Sequence, residues 1–166
     1  MNVSGLRYLA AGLLLAVAAT HLYWGFPRLV TQIQIGIVHD PRPPVFVLSG
    51  TAIVLGIARV LDGANPRPLY LVGIALMLGY IAGYAAWHTV LGHGAFWPWG
   101  LGGDGLHYDM GFIELMITHL SVETTAAISK VFEIAAAIVL SILYIFDDEP
   151  TETSPPIPPQ KDGYEG

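Results

Sequence analysis

Cysteine is absent from this 166-residue chain, which excludes disulfides, thiolate metal sites and thiol nucleophiles at once. A metal or haem would have to be held by histidine, carboxylate or methionine. Charge is scarce: only 12% of residues are acidic or basic, and 54% are hydrophobic. A soluble domain carries roughly 25% charged residues, so the deficit points to lipid. Lysine and arginine number seven in all, with none between residues 91 and 124. Nothing here makes a nucleic-acid surface. The chain also contains no P-loop or dinucleotide-binding glycine fingerprint, no G-x-S-x-G elbow and no H-E-x-x-H. Broken helices in inverted repeats, the mark of many transporters, are not evident.

What charge there is falls unevenly. Residues 147–166 carry six acids against Lys161, so most of the formal net charge of −6 belongs to this tail. Its acids and prolines cannot bury a core and predict a disordered segment, 147–166, after a single membrane domain, 1–146. Two lysines against five arginines, with acids in excess, is the balance a high-salt cytoplasm favours.

The apolar remainder divides into four runs. Tyr8 to Phe26 is nearly charge-free and close to the ~20 residues that cross ~30 Å of hydrocarbon. It closes on Tyr23, Trp24 and Phe26, an interfacial aromatic belt, followed by Pro27 and Arg28. Arg7 ahead of a leucine-rich stretch and Ala16-Val17-Ala18 resemble a cleaved signal. The run continues to Phe26, however, and is read as a retained span. Asp40-Pro41-Arg42-Pro43-Pro44 is read as a breaker. Val45 to Leu61 forms the second span, Leu69 to Val90 the third and Ile128 to Phe146 the fourth. In the third, Gly79 and Gly83 make a G-x-x-x-G pair, read as packing within the chain, with a membrane partner or homo-oligomer face as the alternative. Between the last two spans, Gly111 to Glu123 predicts a short helix lying in the interface.

Four spans put both termini on one face. A cytoplasmic N-terminus leaves Arg7, Arg59, Arg67 and Lys161 inside against Arg28, Arg42 and Lys130 outside, which narrowly satisfies the positive-inside rule. The expected location is therefore the cell membrane, multi-pass, with both termini cytoplasmic.

At the opposite face, span one ends, span two begins, span three ends and span four begins. Counting at 1.5 Å per residue puts His21 and Glu133 at a similar depth of roughly 8 Å. Lys130 and His88 lie shallower, so His21, His88, Lys130 and Glu133 are expected to form one polar shell. Intramembrane ionisable residues are a functional-site hypothesis by default. The bland alternative is the leading one: Lys130 neutralises Glu133 at i, i+3 or snorkels, and His21 is a hydrogen-bonded core residue.

No cofactor is assigned. His21 and His88 on different spans meet the minimum for a haem b, and nothing else marks a porphyrin pocket. His93, Asp104, His107 and Asp109 in the long loop are ligand types suited to a divalent metal, in no compact motif. His21-Leu22-Tyr23, Arg67-Pro68-Leu69-Tyr70-Leu71-Val72, and Ser129-Lys130 with Glu133 resemble small four-span integral membrane proteins of halophilic archaea. The resemblance covers the four spans and departs in the long loop and acidic tail. It implies location and architecture and carries over no catalytic residue. The expectation is an all-α, four-helix bundle in the lipid bilayer, a membrane component or subunit that is not an enzyme. The alternative is a redox or transport protein that uses the polar shell.

Overall fold

The computed structural model describes residues 2–95, 97–98 and 110–147. Within them the chain is all-helical: α1 Val3–Ile35, α2 Arg42–Leu61, α3 Pro66–His88, α4 Phe112–Val122 and α5 Thr124–Phe146. Four of these, all but α4, are long and apolar enough to cross a membrane. Large apolar side chains such as Leu48, Leu78 and Ile138 stay exposed on their outer faces, as a lipid solvent requires. The acidic tail beyond Asp147 lies outside the described residues.

The first helix departs most from expectation. The sequence predicts a span ending at Phe26, yet α1 runs on through Pro27 to Ile35, 33 residues in all. Proline removes one amide donor and crowds the preceding turn, at about 3 kcal/mol. Around the break, Arg28 donates to the Trp24 carbonyl and Thr31 to that of Pro27, adding side-chain bonds to the turns on either side of the proline. Packing holds the segment further, because an added Cβ at Gly25 would lie only 3.2 Å from both Pro43 O and Phe46 Cβ. Helix α1 then stops at Gly36, whose φ of 71° only glycine adopts cheaply.

The proline cluster before α2 starts that helix rather than breaking the chain. Proline is accepted at the first helical positions because the amides there have no intrahelical acceptor. Asp40 Oδ1 accepts from the Arg42 amide at 2.9 Å, satisfying the next one. Helix α3 opens on Pro66 with Asn65 accepting from Arg67 N, and ends at His88, two residues short of Val90. Helix α5 begins at Thr124, four residues before the predicted Ile128.

Helix α1 packs along both α2 and α5, α5 also packs on α3, and α2 and α3 barely touch. The middle of the bundle is filled by Val17, Ala18, Met77 and Ala136, and the lower part by Ala10, Leu140 and Leu143. The close helix approaches are not at the G-x-x-x-G pair. A Cβ at Gly79 or Gly83 would meet nothing within 4 Å, whereas one at Gly73 would lie 2.8 Å from Leu140 Cδ1. Gly73→Ala should therefore be less stable than Gly79→Ala by about 1–3 kcal/mol, the cost of overpacking a filled site. Unfolding of both variants in mixed micelles measures the difference.

One polar clasp fastens the end of the bundle where α1 starts and α5 stops. Asp147 accepts Arg7 Nε and Nη2, both at 2.7 Å, and the Tyr70 hydroxyl at 2.7 Å. The Arg7 bond, helped by Tyr70, holds the Asp147 carboxyl below the usual carboxylate range against the opposing effect of burial.

Candidate functional site

Glu133 lies nine residues into α5, about 14 Å from its start at 1.5 Å per residue. That is near the middle of the helix and deeper than the expected ~8 Å. His21 is also farther from its helix end than expected, since α1 continues 14 residues beyond it. The two meet. Glu133 is fully buried, and its Oε1 accepts His21 Nε2 at 3.2 Å and Ser129 Oγ at 2.8 Å. Its Oε2 accepts the Lys130 ammonium, which also donates to the Tyr80 carbonyl at 3.3 Å. Lys130 thus points into the bundle instead of snorkelling to the surface.

The spacing explains the cluster. Ser129 and Glu133 at i, i+4, and Lys130 and Glu133 at i, i+3, share one face of α5, and α1 carries His21 against that face. A carboxylate only accepts, so the neutral His21 ring that suits Glu133 carries its proton on Nε2. Nδ1 then presents a lone pair. Phe46 stacks on the ring at 4.5 Å between centroids and Tyr80 meets it edge-on at 4.0 Å, which fixes its orientation.

His21 lines a cavity of about 810 Å³ bordered by α1, α2, α3 and the start of α5. Five aromatic side chains line it, Trp24, Phe46, Tyr80, Tyr84 and Trp87, beside polar ones such as Thr20, Thr124 and Ser129, and Gly79 and Gly83 line α3 there. His21 Nδ1 and Tyr84 Oη are buried polar atoms with no hydrogen-bond partner among the described residues, and both residues face this cavity. Charge is balanced around it. Arg42 is paired to Asp40 and Lys130 to Glu133, leaving Arg28 and Glu123 in the lining, one of each sign.

His88 does not join this cluster. It sits at the end of α3 with Nδ1 2.9 Å from His93 Nε2, which in turn is 3.4 Å from His119 Nε2. The two histidines that a haem b would need are thus divided between two groups. Of the loop candidates for a metal, His93 is described; Asp104, His107 and Asp109 lie outside the described residues. Sequence reasoning passed over His119, which the predicted interfacial helix already contained. It also missed Ser129, Tyr80 and Tyr84 as members of the site. A third histidine on the element after His88 and His93 was the available signal.

No protein-family model, curated protein or solved structure matches the chain.

Proposed function

We propose that this membrane protein binds a neutral aromatic lipophile bearing a hydroxyl, a phenol or quinol head on an apolar tail, in the cavity that His21 lines. One observation carries the reading: His21, which lines the cavity, has a buried Nδ1 with no hydrogen-bond partner among the described residues. An unmet buried acceptor costs about 1–3 kcal/mol, which a ligand O–H bonded to it restores. The balanced charges favour a neutral head, and the aromatic walls favour a flat ring. Tyr84 Oη supplies a second hydrogen-bonding group for the ligand.

The cluster behind His21 gives the site a proton-accepting character. Glu133 accepts Nε2–H and stabilises the imidazolium that forms when Nδ1 takes a proton, the role carboxylates play behind catalytic histidines. Ser129 and Lys130 hold Glu133 in place for this task.

The test uses a short-chain quinol and its dimethyl ether, read by quenching of the wall tryptophans in detergent. The quinol should bind and the ether should bind about tenfold more weakly or worse, since one hydrogen bond of ~1.5 kcal/mol separates them. Gly83→Leu, which has open space for its side chain, should intrude on the cavity and weaken binding while the fold stays intact. Equal binding of quinol and ether contradicts the reading. So does a Gly83→Leu variant that binds normally but changes oligomeric state, which would make the glycine face a helix interface instead.

A further inference from the structure

We infer that His88, His93 and His119 form a binding site for a divalent transition metal, with zinc the best match to the donor set. The three come from separate elements: the last turn of α3, the short 3₁₀ turn Gly92–Gly94, and the last turn of α4. One ring nitrogen of each lies within 4.8 Å of the other two. Zinc–nitrogen bonds of about 2.0–2.1 Å in a tetrahedron set ligand nitrogens about 3.3 Å apart. The His88–His93 and His93–His119 separations, 2.9 and 3.4 Å, bracket that spacing. Two of the three separations already suit an ion, and the third lies within 4.8 Å.

The ring of His119 is turned for ligation. Its Nδ1 faces the Leu115 carbonyl at 2.9 Å, one turn earlier, and a carbonyl only accepts. The proton therefore sits on Nδ1, and Nε2, the atom facing His93, carries the lone pair. This is the carbonyl support that orients metal-binding histidines elsewhere.

The backbone is also bent toward this arrangement. His93 has φ 55°, a left-handed conformation uncommon for a residue with a side chain. Glycines flank it at φ 49° and 94°, so three consecutive residues share that hand. Gly94 cannot carry a side chain at all, since a Cβ would lie 2.7 Å from Trp87 Cη2. The Gly-His-Gly turn pressed onto Trp87 is what points the His93 ring at the other two. Strain of this kind persists where surrounding structure enforces it, and it gathers at functional sites.

Three neutral imidazoles leave the ion's charge uncompensated and a fourth position open to water, the pattern of reactive rather than purely structural zinc. Imidazole donors also accept copper and nickel, and copper binds tighter in the usual affinity order. The site adjoins the cavity beside His21 through Tyr84, whose ring lies 4.5 Å from that of His88. It does not depend on any ligand there.

The test takes the full chain, purified in detergent without a histidine tag and stripped with chelator, then titrated with Co²⁺. One equivalent should bind, with the intense visible bands of a four- or five-coordinate ion. His93→Ala and His119→Ala should weaken binding about a hundredfold or more. His39→Ala should leave it unchanged. Copper loaded into the unaltered chain should show hyperfine coupling to three nitrogens, a readout that survives any variant's failure to fold. No stoichiometric cobalt uptake by the unaltered chain, fewer than three nitrogen donors, or full binding in both variants would overturn the site. Quinol binding in the cavity is measured separately, so either proposal can fail alone.

Discussion

Glu133→Ala is expected to cost about 3–5 kcal/mol of stability, the range for removing one partner from a buried ion pair. The loss exceeds what the missing atoms contribute. Lys130 is left as a buried ammonium with the Tyr80 carbonyl and the Tyr84 ring, neither carrying a compensating charge, and His21 and Ser129 lose their shared acceptor. Lys130→Met alone should also be costly, because Glu133 keeps its charge with only His21 and Ser129 to answer it. The informative variant is the double one. Lys130→Met with Glu133→Leu removes both charges and should recover most of the loss, since apolar replacement of a buried pair is often neutral or better. Unfolding of the unaltered protein, Lys130→Met, Glu133→Leu and the double variant in mixed micelles completes the cycle. A Glu133→Ala loss below ~1 kcal/mol would mean that the pair is solvated, in the range of exposed ion pairs.

Asp147→Asn should be the next largest single loss, about 1.5–3 kcal/mol, because it weakens charge-assisted bonds that join α1, α3 and α5. Its pH signature has a definite sign. The Asp147 carboxyl titrates below its ordinary value of 3.8 when folded. A depressed folded value means that the clasp stabilises above the ordinary value and is lost as pH falls through the folded one. The contribution of the clasp should thus be level from neutral pH to about pH 5 and fall below about pH 4. In Asp147→Asn that acid slope should flatten. Arg7 is 41% exposed, so added salt should weaken the clasp more than it weakens the Glu133 cluster. An acid slope unchanged in the variant would assign the effect to other carboxylates.

The four spans were legible because lipid-facing helices announce themselves by length and hydropathy alone. Their ends were not. Pro27 looks like a stop to any local rule, and only packing against α2 carries α1 past it. The meeting of His21 and Glu133 was legible for a reason that hides an error. Each helix extends further beyond its residue than the sequence implies, α1 by nine residues past Phe26 and α5 by four before Ile128, so the two share a level through packing and not through equal distances from their helix ends. The small-residue stripe misled in the opposite way. Gly79 and Gly83 have the spacing of a contact face, yet they border a cavity, and the real approaches at Gly25, Gly50 and Gly73 follow no such motif. His119 was on the predicted interfacial helix, but its place beside the other two could be seen only in three dimensions. Its meeting with His88 and His93 depends on a left-handed turn that no periodicity reveals.

The central claim is that His21 offers Nδ1 to a ligand hydroxyl, and nitrogen-15 NMR of the histidine side chains reads that atom directly. Six histidines give few resonances, and the His21→Phe spectrum assigns the one of interest. Without ligand, the ring should show the neutral tautomer protonated at Nε2. Saturating quinol should move the Nδ1 signal toward that of a hydrogen-bonded or protonated nitrogen, and the same addition to Gly83→Leu should move it less. A His21 spectrum with the proton already on Nδ1, or one indifferent to bound quinol, would contradict the account.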